Sequence, residues 1–347
     1  MTTDKLLKIV ALPVLVLAVA MVGCEGDVGP AGPPGPEGPE GPPGENALNT
    51  CSECHSEDTE LMSVQMQFEA GAHYETVYWA RSGSCSACHN HNGFMTSVIN
   101  GEEIPDSFDN PVPINCRTCH LIHTEFGDED YDLTTTTAVA LTTGGTHDHG
   151  SGNLCANCHQ ARAVDPAPEI GGDPVTVTSF RYGPHYGTQS NMLSSNAMYE
   201  FAGSASYDVT TPHALSCTMC HMVTPVADNH DSSYLAAGHV FSLSYEEDGE
   251  AIEACTQCHS SAESFDAFGG QTDVAEMMDE LADLLTAEGI LREDGYAVEG
   301  EFDADVAAAF LNYKFVYYDG SYGVHNPHYV QALLTNTIEA MEARIVP

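Results

Sequence analysis

The stretch Ser216-Cys217-Thr218-Met219-Cys220-His221-Met222 contains the clearest of six copies of the pattern Cys-x-x-Cys-His in this chain. In chain order the copies are motifs 1 to 6, at residues 51–55, 85–89, 116–120, 155–159, 217–221 and 255–259. Their cysteines are Cys51, Cys54, Cys85, Cys88, Cys116, Cys119, Cys155, Cys158, Cys217, Cys220, Cys255 and Cys258. Their histidines are His55, His89, His120, His159, His221 and His259.

The spacing within each motif suits covalent attachment of a haem. Two thiols three residues apart can reach the two vinyl groups of one porphyrin, and the next residue then offers its imidazole to the iron as the proximal ligand. A single copy could also be half of a zinc site or a redox dithiol. Six copies favour haem, because zinc binding leaves the histidine in the fifth position of every copy unexplained. The sequence therefore predicts six haem c groups.

One cysteine lies outside the motifs. The chain has 13 cysteines, so a disulfide framework of the kind found in exported proteins has no pair left to form it. The spare thiol is Cys24, and Met21-Val22-Gly23-Cys24 resembles a bacterial lipobox, in which the cysteine is lipidated and becomes the new N-terminus. This predicts an exported protein, lipid-anchored to the outer membrane or the cell surface, on its periplasmic or extracellular side.

The first 23 residues have the form of a secretory signal. Lys5 and Lys8 precede an apolar run from Ile9 to Val22, which is short for a membrane-spanning helix. An uncleaved membrane anchor is the alternative. Residues 24–46 form a linker with glycine at every third position from Gly26 to Gly44, the period of a collagen triple helix. We favour an extended stalk over a trimer, because a triple helix with so few Gly-x-y triplets would hold three chains together only weakly.

The charge of the chain excludes one class of partner. It has 51 acidic and nine basic residues, a net charge of −42, and such a surface repels nucleic acid and anionic membranes. Solubility in a salty exterior is the simplest reason for the charge, and attraction of cationic partners or metal ions is the alternative.

The expected fold is mainly α with much irregular chain and few or no strands. Residues 47–272 would form a six-haem domain, and residues 273–347 its C-terminal helical part. About 50 residues remain for each haem, so porphyrin faces must supply much of the buried apolar surface. We predict a short helical turn at each motif and longer helices at Glu60 to Ala80, Asp273 to Glu288, Asp303 to Tyr318 and Asn326 to Met341, the last three packed as a bundle. The long interval from Gln160 to Ser216 is predicted to carry a surface loop.

The sixth coordination position of each iron has candidate ligands. Eleven histidines lie outside the motifs, enough for a second histidine on every iron, and they are His73, His91, His123, His147, His149, His185, His213, His230, His239, His325 and His328. Methionine is an alternative ligand, with Met95, Met192 and Met219 as candidates. Lysine is too scarce to supply these ligands, because Lys314 is the only lysine after the leader.

Several stretches resemble multihaem cytochromes c of exported bacterial respiratory chains, the group that includes ammonia-forming nitrite reductases and cell-surface electron-transfer lipoproteins. They are 116–123, 153–162, 183–189, 213–222, 238–241 and 323–327, each with a histidine near or within it. The resemblance implies a haem-packed multihaem cytochrome c fold. It also implies that the extra histidines ligate neighbouring haems, which assigns distal roles to His123, His185, His213, His239 and His325. We add His73 as the sixth, with His149 in reserve.

One departure from that group bears on activity. The nitrite reductases leave one iron open with a motif that ends in lysine, and all six motifs here end in histidine. The expected function is electron transfer through six bis-histidine haems, in anaerobic or extracellular respiration, with redox proteins or extracellular acceptors as partners. Two alternatives stay open: a nitrite- or hydroxylamine-type reductase with one open iron, and a subunit of an extracellular cytochrome filament.

Overall fold

A computed structural model describes residues 59–74, 81–196, 198–208, 215–223, 237–245 and 249–345. Several predicted features lie outside these ranges, and they are motif 1, His213, Cys24, the leader, the glycine-rich linker and residues 75–80 of the helix predicted at 60–80. What the sequence predicts for them therefore stays a prediction.

The described chain is mainly helical with long irregular connections, as predicted. Its helices are α1 Thr59–Ala70, α2 Ser86–His89, α3 His91–Phe94, α4 Cys116–Cys119, α5 Gly152–Ala156, α6 Gln189–Leu193, α7 Cys217–His221, α8 Glu253–Thr256, α9 Gly270–Ala287, α10 Ala304–Asp319 and α11 Pro327–Ile345. A π-helical turn spans Met95–Ile99, and 3-10 turns span Gly83–Cys85, Asp128–Tyr131, Gly238–Val240 and Ala267–Gly269. In these ranges no helix has the length and apolar character needed to cross a bilayer.

Strands are few and short in the described chain. They are β1 Val139–Ala140, β2 Thr146–His147, β3 Val175–Val177, β4 Ser244–Tyr245, β5 Gly249–Glu250 and β6 Gly300–Phe302. They form three antiparallel pairs, β1 with β2, β3 with β6 and β4 with β5. In the pair of β3 and β6, Val175 lies opposite Phe302 and Val177 opposite Gly300, which ties the interval between motifs 4 and 5 to the C-terminal part.

The three long C-terminal helices pack against one another as the predicted bundle. On α9 the buried residues Val274, Met278, Leu281 and Leu285 recur every three or four positions, so they share one face that meets the other helices. The middle helix, α10, buries 12 of its 16 residues, as expected for a helix enclosed on most sides.

The ends of these helices follow their capping residues. Asp303 accepts a hydrogen bond from the backbone N–H of Asp305 at 3.1 Å and begins α10, and Gly289 follows α9 with φ of 79°. Asn326 stands directly before Pro327, the first residue of α11, but its side-chain oxygen accepts no hydrogen bond from the described residues. Its amide nitrogen donates instead to the carbonyl of Met192 and to Ser195 Oγ, so the residue ties the bundle to the preceding chain.

The interval between motifs 4 and 5 carries an exposed loop, as predicted, with residues 169–174 all exposed, but other parts of the interval are buried. Met192 and Phe201 are buried in the bundle core, and Thr188 Oγ donates to the carbonyl of Phe315 at 2.8 Å. Apolar side chains spread irregularly through the interval give no periodic signal, so the sequence did not show that this segment covers the bundle.

Leu281→Ala is expected to lower the free energy of unfolding by about 2–5 kcal/mol, because it opens a cavity among fully buried side chains. The shift of the guanidinium midpoint, followed by far-UV circular dichroism, measures it. Ile170→Ala is the matched control, since Ile170 is exposed and its truncation should leave the midpoint almost unchanged. Equal effects of the two substitutions would contradict this assignment of the core.

Candidate haem-binding site

One large cavity joins the five described motifs. Its volume is about 3440 Å³, and both cysteines and the histidine of each of motifs 2 to 6 line it. Divided among five motifs, it offers about 690 Å³ to each, within the usual range for the pocket of one bound cofactor. Within the described ranges, no group of three or more His, Cys, Asp or Glu side chains could hold a metal ion by itself.

Backbone hydrogen bonds within the motifs bring cysteines and histidine to one side of a turn. The N–H of His159 donates to the carbonyl of Cys155 at 2.9 Å, and that of His259 to Cys255 at 2.8 Å. In such a turn, residues three and four positions apart lie on the same face. The two thiols and the imidazole therefore point to the same region, as attachment and ligation of one haem require.

Four of the motif histidines each face a second histidine, and the distances between ring centres are nearly equal. They are 6.0 Å for His159 and His73, and 6.2 Å for His89 with His185, His120 with His239 and His221 with His325. An iron binds each imidazole nitrogen at about 2.0 Å, and each ring centre lies about 1.15 Å beyond its nitrogen. Two imidazoles on one iron are therefore about 6.3 Å apart, so the residues fit a haem iron between the rings of each pair.

The outer nitrogens of several rings already have partners. Nδ1 of His120 lies 2.7 Å from the carbonyl oxygen of Tyr131, and Nδ1 of His221 lies 2.8 Å from that of Phe241. A carbonyl oxygen can only accept, so each Nδ1 carries the proton and each Nε2 keeps its lone pair for a metal. His159 makes a similar contact through Nδ1, 3.2 Å from Oε1 of Gln189.

Burial keeps most of these imidazoles in the neutral form that a metal ligand needs. Burial is the main cause that lowers the pKa of His73 to about 4 and the pKa of His185 to about 4, and it also lowers the pKa of His239. His325 differs: burial opposes its protonation, but the carboxylate of Asp319 raises the pKa of His325 above its ordinary value.

Thiols of different motifs interact with one another and give the motifs an order in space. Cys88 of motif 2 interacts with Cys158 of motif 4, and Cys155 of motif 4 interacts with Cys217 of motif 5. The helices that carry motifs 5 and 6, α7 and α8, are in contact. Motifs 2, 4, 5 and 6 therefore form a row, and motif 3 lies beside it, where Cys119 interacts with the thiols of motif 4.

Two further predicted ligands, His123 and His259, also line the cavity, and their rings pack against phenylalanines. The ring of His123 stacks at 5.6 Å on Phe126, and the ring of His259 packs edge-on at 5.4 Å against Phe268. The ring centre of the reserve ligand His149 lies 4.5 Å from that of His147, a short distance before motif 4 in the chain. Since motif 1 and His213 lie outside the described ranges, the pairing of these histidines stays a prediction.

His147 is a residue whose position the sequence did not indicate. Its side chain is fully buried, its Nδ1 lies 3.2 Å from Ser194 Oγ, and the ring interacts with the thiol of Cys217. Its Nε2 has no hydrogen-bond partner among the described residues. No local pattern separates His147 from His149, since only the fold decides which of the two turns inwards.

The alternative ligands do not line the described part of the cavity. Met192 is buried in the bundle core, Met219 is exposed, and neither they nor Met95 are among its lining residues. Nζ of Lys314 donates to the carbonyl of Gly295 at 2.9 Å, and burial lowers the pKa of Lys314 to about 8.

No protein-family model matches this chain, and no curated protein does either. Among solved structures, the chain is similar to outer cell wall cytochrome OcwA, with 19% sequence identity and a TM-score of 0.45. The match covers 81% of this chain and 48% of that one, so this chain spans about half the length of OcwA.

A buried carboxylate fixes the loop that carries His123. Asp130 accepts hydrogen bonds from the backbone N–H groups of His123 at 2.6 Å, Thr124 at 3.0 Å and Glu125 at 2.9 Å. The bond from Glu125 is the largest of the causes that hold the pKa of Asp130 below its usual range. His123 has φ of 65°, a left-handed conformation that needs such support.

Asp130→Ala is expected to release the His123 loop and to convert one haem from the low-spin to the high-spin state, because the distal imidazole loses its fixed position. Magnetic circular dichroism of the oxidised, purified protein measures the change. Asp128→Ala in the same turn is the control, since Asp128 is exposed and should leave the spectrum unchanged. An unchanged spectrum of Asp130→Ala would remove either His123 from the ligands or Asp130 from its support.

Proposed function

We propose that this chain is an electron-transfer protein with one haem c attached at each of its six motifs and two histidines on each iron. The observation that carries the proposal is the set of four histidine pairs whose ring centres are 6.0–6.2 Å apart. Unrelated pairs of histidine rings have no reason to share one separation. An iron held between two imidazoles requires it.

The haems would supply reversible one-electron chemistry at iron, and the residues of the chain would hold and tune them. In the four pairs the proximal ligands would be His89, His120, His159 and His221, with His185, His239, His73 and His325 opposite them. His55 and His259 are the proposed proximal ligands of the other two haems. The carbonyls that accept from Nδ1 fix the orientation of the rings and raise the basicity of Nε2.

Two axial histidines favour electron transfer over catalysis. An iron with both axial positions filled has no site for nitrite or hydroxylamine, and it keeps the same ligands in both oxidation states. The reductase alternative needs at least one iron with an open position. Four irons, each held by one of the four histidine pairs, would have no open position, so electron transfer is the function that the geometry supports best.

The row of motifs 2, 4, 5 and 6 supports passage of electrons between haems. Each cysteine sulfur would be an attachment point of a porphyrin, and thiols of adjacent motifs interact at Cys88 with Cys158 and at Cys155 with Cys217. Porphyrins bound to these cysteines would therefore be neighbours. Such a row would carry electrons across the protein instead of storing them at isolated sites.

We further propose that the protein works outside the inner membrane. The leader, the lipobox ending at Cys24 and the glycine-rich linker support export, a lipid anchor and a stalk that holds the haem domain away from the membrane. Redox proteins or extracellular acceptors would be its partners. The alternatives to an anchored monomer are a trimer held together by the linker and a filament. The mass of the purified protein in solution distinguishes both from a monomer.

His239→Ala tests the proposed ligation. The substitution should leave six attached haems, by mass spectrometry, but convert one iron from low spin to high spin or to a new ligand, because the ring opposite His120 is removed. The control is His328→Ala, which removes an exposed histidine and should keep every haem low-spin.

Two results would count against the proposal. An unchanged low-spin spectrum of His239→Ala would remove His239 from the ligands. Turnover of nitrite or hydroxylamine at enzymatic rates by the unmodified protein, together with a high-spin signal, would favour the reductase alternative.

A further inference from the structure

We propose that Asp319 and Arg162 set a gradient of reduction potential along the row of haems, lowest at motif 5 and highest at motif 2. Electrons would then run from motif 5 through motif 4 to motif 2. This inference rests on the proposed function and adds a direction to it.

Asp319 supplies a buried negative charge to one histidine pair. Its side chain is fully buried, and Oδ1 accepts a hydrogen bond from Nδ1 of His325 at 2.6 Å. The other oxygen, Oδ2, accepts from the hydroxyl and from the backbone N–H of Ser321, the latter at 3.3 Å. Ser321 Oγ also accepts from the backbone N–H of His325 at 3.2 Å. The carboxylate is thus held in place on His325 from two sides.

The position of Asp319 in its helix indicates a purpose other than helix stability. It is the last residue of α10, where the helix macrodipole is negative and an acidic side chain is disfavoured. Gly320, with φ of 71°, ends the helix and turns the chain towards Ser321 and His325. The unfavourable charge is offset by its hydrogen bonds to the loop that carries His325.

A carboxylate acts on the iron through the imidazole that donates to it. The hydrogen bond gives the ring partial imidazolate character, which strengthens its donation to iron. An oxidised iron carries one more positive charge than a reduced one, so a buried negative charge stabilises the oxidised form and lowers the potential. Nδ1 of His120 and of His221 instead donates to a neutral carbonyl, so those rings lack this effect.

Motif 2 has the opposite charge beside its histidine pair. Arg81 and Arg162 line the cavity together with His89 and His185, and Asn90, next to His89, donates from its side chain to the carbonyl of Arg81 at 3.1 Å. The backbone N–H of Arg162 donates to the carbonyl of Pro184 at 2.8 Å, which places the arginine directly beside the loop of His185. A nearby cation stabilises the reduced iron and raises the potential.

The difference in charge between the surroundings of motif 5 and motif 2 comes from residues of the chain itself. Every haem brings the same propionates, so these groups do not distinguish one motif from another. Only seven basic residues follow the leader, and two of them lie beside motif 2. The haem of motif 4 would lie between an anion beside motif 5 and cations beside motif 2, which gives this part of the row a direction.

Asp319→Asn is expected to raise the lowest midpoint potential of the protein, because asparagine keeps an oxygen acceptor for His325 but removes the charge. We expect a roughly tenfold change in the oxidised-to-reduced ratio of one haem at a fixed electrode potential, about 59 mV for a one-electron couple. Arg162→Gln should move the highest midpoint in the opposite direction, downwards. Optical spectroelectrochemistry of the purified holoprotein measures both.

Controls separate a local effect from a change in total charge. Asp283→Asn and Arg292→Gln remove the same charges from exposed positions outside the cavity and should leave every midpoint in place. Asp319→Glu restores the charge and should return the lowest midpoint towards its original value.

Each outcome decides the inference. If the midpoint potentials do not change in Asp319→Asn and Arg162→Gln and all haems stay low-spin, the gradient is overturned, but the proposed electron-transfer function is not. A high-spin haem in Asp319→Asn would also overturn it, because the carboxylate would then serve to hold His325 in position. High-spin haems in the unmodified protein would instead overturn the proposed function.

Discussion

Two imidazoles that share one iron can stand only about 6.3 Å apart, and four histidine pairs of the described chain have ring centres 6.0–6.2 Å apart. The rings that meet this distance come from remote parts of the chain: His89 and His185 are 96 positions apart, and His120 and His239 are 119 apart. Each haem held in this way would close a long loop in addition to its two covalent bonds. Cross-links across long loops restrict the unfolded chain most.

The distribution of apolar side chains agrees with that role. The main hydrophobic core lies in and around the bundle of α9, α10 and α11, where Phe310 and Leu333 are fully buried. Around the motifs the described core shrinks to small groups such as Val139, Leu141 and Ala156. Porphyrins bound in this cavity, as proposed, would supply the missing packing surface, so cofactor binding would contribute to folding.

Local features were readable from the sequence, and long-range ones were not. The motif turns and the three C-terminal helices follow from spacing and periodicity, to within four residues at every helix end. The inward turn of His147, the carboxylate of Asp319 on His325 and the amide of Asn326 on Ser195 join residues that no local pattern connects. Which histidine faces which motif also depends on the path of the whole chain, since nothing in the stretch Gly71-Ala-His73 indicates that His73 lies opposite His159.

The most direct test of the central claim is electron paramagnetic resonance of the oxidised, purified protein, integrated against its covalent haem content. With haem on all six motifs and two histidines on each iron, the spectrum should contain six low-spin irons per chain and no high-spin signal. Fewer attached haems than motifs, or a high-spin signal equal to one or more whole haems, would contradict the account.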